Sequence, residues 1–195
     1  MKLFLPICLS WLIGTALHVS GASAVVISIA DQKLALVEDG APIAQFPVST
    51  SKFGVGDRPG SYATPLGLLE IASKIGANAP LGTVFKSRVQ TGEVLRPNAR
   101  GRDPIVTRIL WLRGLEGRNA RAYDRGIYIH GTPVERLIGR PASYGCIRMR
   151  SRDVAHLFNA VTVGTRIAVV TYHLRDAITR ASAGSLSTEL GFASN

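Results

Sequence analysis

Two side chains in the stretch IYIHGTPVERLIGRPASYGCIRM, residues 127–149, are of types that act together on a carbonyl. His130 closes an alternating strand-like run, and Cys146 follows 16 positions later. A thiol attacks a carbonyl as the thiolate, and an ordinary cysteine is mostly protonated at neutral pH. A histidine within reach takes that proton, and the resulting imidazolium stabilises the anion. The tetrahedral oxyanion then needs donors, which backbone N–H groups at a tight, glycine-containing turn can supply. Gly145-Cys146 is such a turn. Cys146 is therefore the candidate nucleophile, His130 the candidate base, and the Gly145–Cys146 backbone the candidate oxyanion donor.

Other chemistries of His and Cys fit less well. Cys146, His130, His156 and His173 are not at zinc-ligand spacings, so no metal is expected, and nothing in the chain asks for a cofactor. A thioredoxin-like role lacks the second cysteine of C-x-x-C, and in papain-like enzymes the Cys precedes the His. A sortase-like ligase also orders His, Cys and Arg, but the Thr-Leu-x-Thr-Cys stretch expected there is absent.

The other cysteine, Cys8, falls in the opening MKLFLPICLSWLIGTALHVSGASA. One charge, Lys2, then an apolar run and a small-residue close at Ala22-Ser23-Ala24 predict a signal peptide over residues 1–24, cleaved after Ala24. The apolar run is shorter than the roughly 20 residues of a spanning helix. The expected mature chain is exported to the periplasm or cell envelope, carries no membrane segment, and has Cys146 as its one thiol. An unpaired cysteine in an oxidising compartment is a reactive thiol, an intermolecular partner or an inert buried group.

The chain carries a formal net charge of +10. An exported protein meets little nucleic acid, and no aromatic residues interleave the arginines in the manner of a strand-binding platform, so nucleic acid is not an expected partner. Arg96, Arg100, Arg102, Arg108, Arg113, Arg118, Arg121 and Arg125 read as a solvated basic surface or as a field attracting anionic wall polymers.

The elements that must position His130 and Cys146 are mostly strands. Val26, Lys33–Val37 and Ile43–Phe46 carry the β signal, with Asp39-Gly40 as a hairpin turn. Residues 53–67 read as a loop, 67–73 as a strand, and 76–104 as a long, substrate-facing connection of low order. Strands are expected at Ile105–Leu112, Gly126–His130 and Thr165–Thr171. Along RGIYIHG, Ile127 and Ile129 face the core while Tyr128 and His130 share the other face. Ser151 reads as the N-cap of a helix whose apolar stripe is Val154, Leu157, Phe158 and Val161, closed by Gly164; His156 lies off that stripe. Residues 25–171 form one domain, and 172–195 read as a poorly ordered tail, briefly helical at most.

His130-Gly131, a spacer, and Ser143-Tyr144-Gly145-Cys146-Ile147-Arg148-Met149 together resemble the signature of the YkuD-type L,D-transpeptidases. Pro47–Thr50, Thr64–Gly67, Arg108–Leu112 and Arg125–His130 extend the resemblance over almost all of residues 25–171. One position departs from it: the family usually has a second histidine where this chain has Tyr144. The resemblance implies a mainly β, sandwich-like domain with one or two short helices, in which the His strand and the Cys turn meet. It also implies acyl transfer on peptidoglycan tetrapeptide stems through a Cys146 thioester, giving a 3→3 cross-link. Water as acceptor would make the same site an L,D-carboxypeptidase, and a lipoprotein lysine would make it an anchoring enzyme. Arg148 is a candidate for a stem carboxylate or a brace for the Cys turn. Ser143, Tyr144 and Tyr128 are the remaining substrate-binding candidates. A non-catalytic wall-binding module would keep the basic cleft but would not need the paired His and Cys.

Overall fold

The computed structural model describes residues 23–182. The leader expected over residues 1–24 lies outside them except for Ser23 and Ala24, which begin the first strand. Among the described residues there are ten strands, two α-helices and two single-turn 3-10 helices, so the domain is mainly β. Strands β1 (Ser23–Ser28), β2 (Lys33–Glu38) and β3 (Ala41–Pro47) form an antiparallel meander. Its second turn is Asp39-Gly40, with φ of 49° and 77°, the paired left-handed conformation of a tight hairpin. The chain continues through β4 (Gly67–Ile75), β5 (Thr83–Lys86), β6 (Val89–Val94) and β7 (Ile105–Gly114). After these come β8 (Tyr128–Gly131), β9 (Ile147–Met149) and β10 (Arg166–Val170).

One sheet runs in the order β3-β2-β1-β10-β4-β7-β5-β6 and branches at β7, where β8 and then β9 are added. The two arms enclose a common core. Val25, Ile27, Leu34 and Leu36 on one side meet Leu110, Leu112, Ile129, Ile147 and Met149 on the other. Helix α1 (Ser151–Ala160) closes that core with the stripe expected of it, Val154, Leu157, Phe158 and Val161. Its cap differs from the sequence reading. Arg150 holds the N-cap position without a side-chain cap bond, and the Ser151 N–H is satisfied by Glu135 Oε1 at 2.9 Å. The helix ends at Ala160, with Val161 as C-cap, and Gly164 falls in the turn before β10.

Two regions read as irregular are ordered. The 76–104 connection contains the β5–β6 hairpin, whose turn residues Ser87 and Arg88 have φ of 49° and 69°. Residues Leu174–Ser182, in the tail read as poorly ordered and briefly helical at most, form the short helix α2. Strand β1 is apolar on both faces: Val25 and Ile27 point into the main core, while Ala24 and Val26 point away from it. Leu174, Ala177 and Ala181 of α2 cover that second face together with Ala35 and Val37. Burying two apolar sheet faces needs a layer on each.

Candidate active site

Strands β8 and β9 run parallel, with His130 opposite Arg148 and Ile129 opposite Ile147. Paired residues of neighbouring strands share a face. His130 and Arg148 therefore lie on one side, and Ile129 and Ile147 enter the core on the other. Gly131 follows His130 because a Cβ there would lie 2.6 Å from the Val106 carbonyl oxygen. β7 is distorted at this point: Thr107 has φ of 72°, a conformation a β-branched residue rarely adopts. Its hydroxyl accepts from Gly82 N–H and donates to Ser151 Oγ, fastening the 76–104 connection and α1 to the same point.

Cys146 is half-buried immediately before β9. Its thiol donates to the Gly126 carbonyl at 3.4 Å and receives the Tyr128 N–H, which seats the sulfur against the entry to the His130 strand. Gly145 has φ of 116°, and a Cβ on it would come within 3.3 Å of Ala63 O and Ile127 Cδ1, so only glycine fits the turn. Ser143 is fully buried. Its hydroxyl donates to Cys146 O at 2.6 Å and accepts from Gly145 N–H at 3.2 Å. Ser143 thus orients the turn, and a hydroxyl so enclosed presents no surface to substrate.

His130 is buried with Nδ1 2.8 Å from Gly131 O. Donation from Nδ1 leaves Nε2 as the basic nitrogen. Burial, joined by the Arg148 guanidinium, pushes this imidazole down to about 4, against the opposing influence of the Gly131 carbonyl and Asp103. Burial also pushes the Cys146 thiol up, opposed by the Tyr128 N–H and the charges of Arg148 and Arg125. At neutral pH the resting pair is therefore a neutral thiol and a neutral imidazole, and proton transfer must accompany attack. Below its pKa the imidazolium cannot accept a proton. The kcat/KM profile, which reports the free enzyme, is expected to lose activity on the acid side through about pH 4. An acid limb centred near the ordinary histidine value, about 6.5, would contradict this.

Arg148 is buried and its Nη1 lies 2.7 Å from Asp103 Oδ2; Asp103 Oδ1 in turn accepts from Thr132 Oγ1 at 2.5 Å. The Arg148 guanidinium thus engages Asp103, which lies outside the Cys turn, through one of its nitrogens. Tyr128 is buried, packed with Phe85, Ile109 and the Cys146 side chain, and its hydroxyl accepts from Arg88 at 3.2 Å. It is a wall of the thiol site. Tyr144, by contrast, is exposed; its hydroxyl accepts from Lys52 Nζ at 3.1 Å.

The basic-surface reading needs correcting at two positions. Arg125 donates to Gly56 O, Asp57 Oδ1 and Ala63 O, tying the 53–66 loop beside the thiol, with its side chain 10% exposed. Arg108 is buried, with Nη1 on Ala79 O and Thr107 O, under the 76–104 connection. Asp103, Asp57, Ser51 and Thr64 were not legible as site residues. Only Thr64 carried a signal, as part of the Thr64–Gly67 turn. Its hydroxyl donates to Gly145 O at 3.0 Å and accepts from Ser51 N–H.

His130 on β8 and the Cys146 turn before β9, braced by buried hydroxyls and an Arg–Asp pair, thus share one end of a paired-strand unit. The L,D-transpeptidase catalytic domain family, YkuD, matches residues 22–169, and the chain belongs to it. YkuD of Bacillus subtilis (strain 168), an L,D-transpeptidase by name, is 32% identical over 118 residues, which cover 57% of this chain and 70% of that one. YqjB of the same organism, also so named, is 46% identical over 54 residues, 27% of this chain and 31% of its own length. The chain thus spans under a third of YqjB. Among solved structures, the L,D-transpeptidase (residues 123–326) of Xylanimonas cellulosilytica superposes with a TM-score of 0.51 at 20% identity, covering 78% of this chain and 62% of that one. At that identity it speaks for the fold alone. Among the described residues no helix is long and apolar enough to cross a membrane.

Proposed function

We propose that this protein is an exported cysteine L,D-transpeptidase that acts on peptidoglycan tetrapeptide stems in the periplasm or cell envelope. The observation that supports the reading is the pairing of β8 with β9 directly after Cys146, whose register puts the only described cysteine on the same face as the buried His130, two residues along the strand from it.

The chemistry follows in two halves. As Cys146 Sγ attacks the carbonyl carbon of the third stem residue, the thiol proton passes to His130 Nε2. The Cys146 N–H at the Gly145 turn is the donor for the oxyanion. Collapse breaks the peptide bond; the departing D-alanine nitrogen takes the proton from His130, and a thioester remains. An incoming stem amine then attacks the thioester, gives its proton to His130, and the thiolate leaves and is reprotonated. Neutral imidazole suits both halves, since it must accept before it donates.

The decisive experiment is incubation with disaccharide-tetrapeptide, followed by mass spectrometry. Loss of D-alanine with formation of a dimer is the expected result. Loss of D-alanine without dimer would make water the acceptor and the protein an L,D-carboxypeptidase. Neither change would leave a wall-binding module. A second test uses the strained acyl group of a carbapenem. Intact-protein mass should rise by one drug molecule, and Cys146→Ala should show no rise. Labelling at any other residue would count against the assignment.

A further inference from the structure

Three aromatic side chains next to the nucleophile turn remain out in solvent: Phe53, Tyr62 and Tyr144 are 50%, 55% and 55% exposed. They form one cluster, with ring centroids 5.4 Å apart for Phe53–Tyr144 and 5.8 Å for both Phe53–Tyr62 and Tyr62–Tyr144. The Lys52 ammonium sits over two of them, 4.4 Å from the Tyr144 ring centre and 5.2 Å from that of Phe53. Contiguous exposed apolar surface marks a contact site more often than an accident.

The cluster is held rather than collapsed. Tyr62 has φ of 54°, where bulky side chains are genuine outliers. The buried Ser51 hydroxyl sustains that backbone by donating to Tyr62 O at 2.5 Å, and it accepts from Phe53 N–H at 2.9 Å, so one group sets two of the rings. The same strip is joined to the nucleophile turn: Lys52 N–H donates to Ser143 O, and Thr64 Oγ1 bridges Ser51 N–H to Gly145 O. Backbone strain kept by its surroundings, in an exposed place beside a reactive thiol, points to a ligand.

Building on the function proposed above, we infer that Phe53, Tyr62 and Tyr144, with Lys52, form a stacking platform for a sugar ring of the glycan that carries the stem peptide. A pyranose has an apolar C–H face and an edge of hydroxyls. The platform offers ring surface together with two phenol hydroxyls and one ammonium, the matching combination. The three stem residues between sugar and scissile carbonyl span at most about 10 Å when extended. Tyr144 lies two residues from Cys146, and Phe53 and Tyr62 each pack against its ring, so the platform adjoins the nucleophile turn. The ammonium already over Tyr144 and Phe53 disfavours a second cation there and suits a substrate whose peptide bears carboxylates.

The test compares free tetrapeptide with the same peptide on its disaccharide, in wild type and in the double variant Phe53→Ala, Tyr62→Asn. Asparagine tolerates the left-handed backbone that Tyr62 occupies, which protects the fold. Wild type is expected to prefer the disaccharide-linked substrate by about tenfold or more in kcat/KM, and the double variant to lose most of that preference. In a second arm, Cys146→Ala protein is titrated with peptide-free glycan disaccharide. Saturable changes in the ring resonances are expected, and they should vanish when the two platform substitutions are added. No preference in wild type, or an equal fall on both substrates in the double variant, would overturn the platform. So would concentration-dependent self-association that the double variant abolishes, since the face would then bind a second copy. If wild type turned over neither substrate, the proposed reaction would fail, and the titration alone would decide the platform.

Discussion

Cys146→Ala is expected to abolish release of D-alanine while leaving the domain folded. On the proposed route the substitution removes the atom that forms the thioester, and Ser143, a hydroxyl of the same turn, is fully buried and bonded to Cys146 O. Losses on deleting a covalent nucleophile reach the order of 10⁶-fold in kcat. The structural cost is small. Cys146 is half-buried, its one donated bond is a weak 3.4 Å contact to Gly126 O, and the turn is held by Ser143 and Thr64 rather than by sulfur. A change of about 1 kcal/mol or less in unfolding free energy is expected, in the ordinary range for single substitutions. Activity assays by mass spectrometry and thermal unfolding on the same preparation check both halves. Retention of near wild-type D-alanine release would refute the thioester route.

His130→Ala carries the second largest effect. Removing a general base costs about 10²–10⁴-fold, and the proposed route gives His130 that task, with its Nδ1 tied to Gly131 O and its ring neutral near pH 7. Tyr144→Phe should cost far less. The phenol is exposed and its hydroxyl rests on Lys52 Nζ, so its loss removes one solvent-facing hydrogen bond. Tyr144→His, the residue more usual at this position in the resemblance, should be tolerated. Single-turnover rates of D-alanine release for the three variants provide the comparison. Should Tyr144→Phe be as damaging as His130→Ala, the proton path from Cys146 to His130 would be wrong.

Much of the site was legible because its signals are local. A His followed by a Gly at a strand end, and a Gly before a Cys, report on backbone geometry within a few residues: Gly131 avoids Val106 O, and Gly145 takes a φ of 116°. The alternation of Ile127, Tyr128, Ile129 and His130 is a period-2 pattern, and the 154–161 stripe has helical spacing; both came out as read. The β5–β6 hairpin escaped because Gly, Pro, Asn and Arg dominate 76–104, and its pairing with β7 at Val84 and Phe85 is a long-range contact.

The sequence by itself determined the strand and helix periodicities, the identity of the thiol and the histidine, and the glycines that let their backbones turn. Only the tertiary structure decided which polar groups brace them. Asp103 reaches Arg148 from 45 positions earlier in the chain, Arg125 reaches Asp57, and Ser51 reaches the 62–64 loop while its backbone bridges to Ser143. It also decided that residues 174–182 are a helix. The second face of β1 and β2, made of Ala24, Val26, Ala35 and Val37, is covered by that helix, a long-range contact. Periodicity records which face of an element is buried, because burial acts on each residue where it stands. A partner across the fold is chosen by how the chain closes, and loop closure leaves no local imprint on residue type.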